Sequence, residues 1–150
     1  NHFHLLLREI KQNGISTFMQ KVCTSYANYF NSKYEESGRI FEGPYKFKII
    51  NSEEYLQYVD AYIQIINPFE LMANGVKNFD KAFEEAANNP FCSLGESFGK
   101  RKLSIVDRKM INDRFPSIEI YKKFVKDILI SKKGLSLPAE LLKPLLIDQI

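Results

Sequence analysis

The run His2-Phe3-His4-Leu5-Leu6-Leu7-Arg8 decides how the rest of the chain is read. It is an apolar stretch of strand length, closed by Lys11-Gln12-Asn13-Gly14, whose Gly and Asn favour a turn. A buried strand is therefore expected at residues 2–8. Side chains alternate along a strand, so His2 and His4 would project from one face while Phe3 points to the other. Two imidazoles on one face make a two-nitrogen ligand pair, with positions left for an amide or carboxylate and for substrate oxygens. They are the only histidines in the chain, although exposed histidines near a chain start are also common without any metal role.

Working outward, Ser16 is a candidate N-cap. After it Phe18, Met19, Val22, Tyr26, Tyr29 and Phe30 recur at three and four residues, which predicts an amphipathic helix ending near Asn31. Gly38 restarts the chain as Arg39-Ile40-Phe41. Tyr45, Phe47 and Ile49 then alternate with Lys46 and Lys48, the pattern of a half-buried strand with one basic face. Ser52 followed by Glu53 and Glu54 starts a helix, and Tyr55, Leu56, Val59, Tyr62, Ile63 and Ile66 continue it until Asn67-Pro68 stops it. A short helix is expected over 79–87, another over 118–131, and a last one from about Pro138 to Leu146. Strand, helix, strand, helix and a helical tail together predict an α+β domain.

The bulk numbers narrow the partners only a little. At 150 residues the chain holds one domain with a proper core, and 45% hydrophobic with 26% charged residues is a folding composition. Twenty-one basic against 18 acidic residues permit a polyanion without announcing one. Cys23 and Cys92 are far apart and have no ligand-spaced neighbour, so neither a zinc ribbon nor a disulfide framework is expected. No apolar run reaches the roughly 18 residues of a membrane span, and no signal-peptide pattern precedes the first motif. A cytoplasmic protein with no membrane partner is the expectation.

Several side chains past the second strand can carry chemistry. Read alone, Tyr62 on the apolar stripe of its helix is a core tyrosine with a satisfied hydroxyl. Gln64 and Asn67 each offer an amide oxygen, and each also has a plain reading, as a surface polar residue and a helix C-cap. Arg39, Lys46 and Lys48 could contact phosphates, as could Lys100, Arg101 and Lys102; otherwise they form a solvated strand face and a charged loop.

Taken in order, residues 1–7, 14–21, 25–31, 38–43 and Tyr62 to Pro68 resemble the successive blocks of the single-tyrosine HUH transposases, including the REP-associated tyrosine transposases of bacteria. The likeness is dense over residues 1–70 and looser at Pro90-Phe91-Cys92-Ser93-Leu94. It implies a ferredoxin-like HUH nuclease domain over 1–92 and a helical C-terminal extension over 93–150. It further implies Mg2+ or Mn2+ held by His2 and His4 beside a scissile phosphate of single-stranded DNA, and attack by Tyr62 to leave a 5′-phosphotyrosine link. Hairpin DNA ends and a homodimer are the implied partners. A phenol with pKa near 10 is a weak nucleophile, so its dependence on a metal is chemically consistent.

Two departures from the family pattern set further expectations. The family places an amide ligand four residues after the tyrosine, where this chain has Ile66; Asn67 comes one position later. Either a helix bulge brings Asn67 round, or Gln64 substitutes as the metal ligand, or no third ligand exists. Pro44 also stands where many relatives carry an arginine. The family's strand-helix-strand before the HUH strand has no counterpart here, so the sequence reads as an N-terminally truncated, partial ferredoxin-like domain. The alternative to an active transposase is accordingly a catalytically inactive DNA-binding remnant of one.

Overall fold

The computed structural model describes residues 3–69, 78–101 and 105–131. Their regular structure is helical: α1 (Gly14–Tyr34), α2 (Glu53–Ala61), a π-helical turn (Tyr62–Ile66), α3 (Phe79–Asn88), α4 (Leu94–Ser97), α5 (Arg108–Asn112) and α6 (Ile118–Ser131). Among the described residues there is no strand, and this overturns the expected α+β, ferredoxin-like class. Residues 3–9 and 45–50 carry strand-like composition but run without a ladder. A strand exists only when its N–H and C=O groups meet a partner, and hydrophobic period does not supply one. The half-buried strand with a basic face is corrected too: Tyr45, Phe47 and Ile49 are exposed, along with Lys46 and Lys48. Gly38 to Gly43 forms bends.

The chain forms two compact units, Asn1–Ile49 and Ile50–Ile150. In the first, α1 begins after Asn13, which adopts a left-handed conformation, and the Thr17 N–H and hydroxyl both bond to the Asn13 carbonyl. Ser16 is therefore inside the helix, where its hydroxyl pairs with that of Tyr45 at 3.0 Å. At the far end Glu35 turns left-handed, and the Glu35 and Glu36 N–H groups both bond to Asn31 O, closing the helix. Met19 is buried, and the Phe41 ring meets Phe3 in a T-shaped contact and Tyr26 of α1 in a tilted one.

The second unit holds a continuous apolar core from Tyr55 to Leu129. Helix α2 starts as expected: the Ser52 hydroxyl accepts from Tyr55 N–H at 3.1 Å, with Glu53 and Glu54 in the first turn. Glu53 also accepts from Nε and Nη2 of Arg114 with its two carboxylate oxygens, tying the start of α2 to the residues just after α5. Tyr121 on α6 lies at the centre, with the rings of Phe83, Phe98 and Phe115 around it at 6.3, 5.5 and 5.0 Å. Helix α4 approaches α3 closely at Gly95, where any Cβ would stand 2.2 Å from Ala87 O. The expected helices over 79–87 and 118–131 are present, and the one expected from Pro138 lies outside the described residues. Among the described residues no helix is long and apolar enough to cross a membrane.

Candidate functional site

Helix α2 does not run on in α register to Pro68. From Tyr62 to Ile66 it widens into a π turn, and the Asn67 N–H bonds to Tyr62 O, five residues back, at 2.9 Å. In an unbroken α-helix, residues five apart stand about 140° round from each other. The wider turn absorbs one residue and returns Asn67 to the Tyr62 face. Its side chain then completes the contact: the Tyr62 hydroxyl donates to Asn67 Oδ1 at 3.0 Å. The structure thus contains a helix bulge between Tyr62 and Asn67. The Tyr62 ring itself is packed in the core, 6% exposed and stacked on Tyr58 at 6.3 Å, while its hydrogen bond to Asn67 is only part-buried.

Gln64 sits in the middle of the π turn and is 3% exposed. Its Nε2 donates to Asp60 Oδ1 at 2.7 Å, and its Oε1 accepts from the Ser93 hydroxyl at 3.4 Å. Its amide is thus engaged at both ends by protein groups. The other Asp60 oxygen accepts from the Tyr121 hydroxyl at 2.7 Å. Burial drives the Asp60 carboxyl above its ordinary range, against the two hydrogen bonds that favour its charged form. Burial and the neighbouring Asp60 also push the Tyr121 phenol well above 10. Cys92 closes the cluster from the other side, its Sγ donating to Gln64 O at 3.4 Å.

The remaining candidates belong to different surroundings. His4, part-exposed, lies in the first unit, and His2 lies outside the described residues. Arg39, Lys46 and Lys48 are exposed on the first unit, with Arg39 Nη2 donating to Glu42 O at 2.7 Å. Arg101 is a structural cation: it donates to Asn89 O at 2.7 Å and to Cys92 O, pinning the loop between α3 and α4. Lys102 lies outside the described residues. Among the described residues no three His, Cys, Asp or Glu side chains gather as a metal group.

Sequence reasoning missed Asp60, Ser93 and Tyr121. The one available signal was Asp60 and Gln64 at i, i+4, a spacing that puts a carboxylate and an amide side by side on a helix otherwise rich in apolar residues. Compared with protein-family models, curated proteins and solved structures, the chain gives no match.

Proposed function

We propose that the chain acts in single-tyrosine, HUH-type DNA strand transfer, cutting and rejoining single-stranded DNA through Tyr62. The observation that carries the reading is the Tyr62–Asn67 contact across the π turn. The five sequence blocks place an amide on the tyrosine face in this family, and one extra residue separates the two here. A turn that absorbs a single residue and restores the pairing supports the identification of Tyr62 and Asn67 as that pair.

In this reading Asn67 orients the phenol by accepting its proton in a hydrogen bond, so that an oxygen lone pair is directed to solvent and an incoming phosphate. Attack forms the tyrosyl–phosphate bond as the phenol gives up its proton to solvent, and breaks the bond from phosphorus to the 3′ oxygen, which takes up a proton from solvent and leaves as a hydroxyl. The number of phosphodiester bonds is conserved, which makes the rejoining step possible without an energy source. His2 and His4 are the residues that would hold Mg2+ or Mn2+, which would polarise the phosphate and stabilise charge on the departing oxygen. Arg39, Lys46 and Lys48 are assigned to the DNA backbone, and hairpin ends and a second copy of the chain are the assigned partners.

The buried ring of Tyr62 favours a second reading, a protein that binds single-stranded DNA and has no nuclease activity. One experiment separates the two. Incubation with a labelled DNA hairpin and Mn2+ gives a denaturant-resistant adduct that Tyr62→Phe abolishes if strand transfer is correct, and binding without adduct if it is not. Loss of adduct with binding retained in His2→Ala and His4→Ala assigns the metal pair.

A further inference from the structure

We propose that Gln64 is a positioning residue: clamped by Asp60, Ser93 and Cys92, it holds the helix in π register and so presents Asn67 to Tyr62. The proposal rests on the reading of Tyr62 and Asn67 as a functional pair, but its physical content is independent of DNA.

A π turn is a defect in an α-helix, with fewer favourable contacts per residue, and it persists only where its surroundings hold it. Here they do so through both parts of one residue. In α register the Gln64 carbonyl would look for a donor at position 68, but that residue is Pro68, which has no N–H. The Cys92 thiol serves that carbonyl from outside the helix. The side chain is fixed at its nitrogen by Asp60 and at its oxygen by Ser93. Asp60 is itself held by Tyr121 on α6, so the last described helix and the α3–α4 connection both bear on the turn. Rotating the turn back to α register would leave Gln64 beside Asp60, four residues earlier, but would carry its carbonyl and its amide oxygen away from Cys92 and Ser93 on the α3–α4 connection, at the cost of both buried bonds. The network therefore opposes that rotation.

The test is hydrogen exchange at the Asn67 amide, the donor of the i to i+5 bond. Gln64→Leu is expected to speed that exchange by about tenfold or more while the Val125 amide in α6 stays at its wild-type rate. The double variant Asp60→Asn/Gln64→Glu reverses donor and acceptor across the central bond, keeps one carboxylate in the cluster, and is expected to return exchange to within about threefold of wild type. Cys92→Ala removes only the thiol, and serves if Gln64→Leu does not fold; it too should speed exchange at Asn67. Unchanged exchange at Asn67 in either folded single variant overturns the clamp, as does a folded double variant that exchanges as fast as Gln64→Leu. In the hairpin assay, Gln64→Leu should slow adduct formation about tenfold without weakening DNA binding. A wild-type chain that forms no adduct counts against strand transfer alone, and the exchange rates still decide the clamp.

Discussion

The Tyr121 hydroxyl donates to Asp60 Oδ2 at 2.7 Å inside a wall of aromatic rings, joining α6 to α2 by a polar bond where almost everything else is apolar. Burial lifts the Asp60 carboxyl above its ordinary 3.8, with the Tyr121 and Gln64 hydrogen bonds and the charge of Arg114 opposing the rise, and with the Cys92 thiol and the Tyr121 phenol as titrating groups that feel its charge. A raised folded value means the fold prefers the protonated acid. The contribution of Asp60 to stability is then full below pH 3.8 and is lost as pH rises through the folded value. Surface acids such as Glu53 and Asp80, lowered by Arg114 and Lys122, slope the other way, so the effect must be read as a difference. Denaturant unfolding of wild type and Asp60→Asn should show the wild type losing ground to the variant as pH climbs from about 4. A gap that is constant with pH, or that moves the opposite way, contradicts this assignment.

Removing the hydroxyl tests the same bond from the other end. Tyr121→Phe keeps the ring among Phe83, Phe98 and Phe115 but deprives a buried carboxyl of a donor. The expected cost is about 1–3 kcal/mol at neutral pH, shrinking in acid where Asp60 is protonated. Urea unfolding at two pH values measures it, and a variant as stable as wild type at neutral pH would place the two groups apart in solution.

Local signals were legible in the sequence and pairing signals were not. The Ser52 cap with Glu53 and Glu54 fixed the start of α2 because capping involves residues within one turn, and the periodicity of 79–87 and 118–131 marked helices because their apolar stripes face a real core. Residues 3–8 and 45–50 misled because alternation and apolar content describe a strand only if another strand is beside it, a condition written elsewhere in a chain. The π turn was half legible: the extra residue between Tyr62 and Asn67 could be counted, but what absorbs it depends on Cys92, Ser93 and Tyr121, which come 28 to 61 residues from their partners. Asp60 stayed hidden for the same reason, since an acid on a helix looks solvated until the helix that covers it is known.

The crossing of α3 and α4 depends on the absence of one methyl group. A Cβ at Gly95 would lie 2.2 Å from Ala87 O and 3.3 Å from Arg101 Nε, so backbone on one side and a pinned guanidinium on the other must both shift. Gly95→Ala should destabilise on the order of 3 kcal/mol, whereas Gly43→Ala, with nothing within 4 Å of its Cβ, should stay within about 0.5 kcal/mol of wild type. Thermal unfolding of the two variants side by side is the check. Equal melting temperatures would mean that the helices do not cross as tightly as described.

The two compact units differ in what they can do alone. Every residue of the main buried cluster, from Tyr55 to Leu129, belongs to the unit that starts at Ile50, and that unit also contains the Glu53–Arg114 ion pair and the Asp60 network. In residues 1–49 Met19 is the one buried large side chain among those described, and Phe18, Tyr29, Tyr34 and Phe47 are exposed. A single helix of 21 residues with so little burial is close to the margin of helix stability in water. A protein cut before Ile50 should therefore keep a cooperative thermal transition with near-ultraviolet circular dichroism from its packed tyrosines, and a peptide of residues 1–49 should melt gradually with low helicity. A gradual melt of the longer piece, or a sharp one of the shorter, would reverse the assignment of where the folding energy of this chain resides.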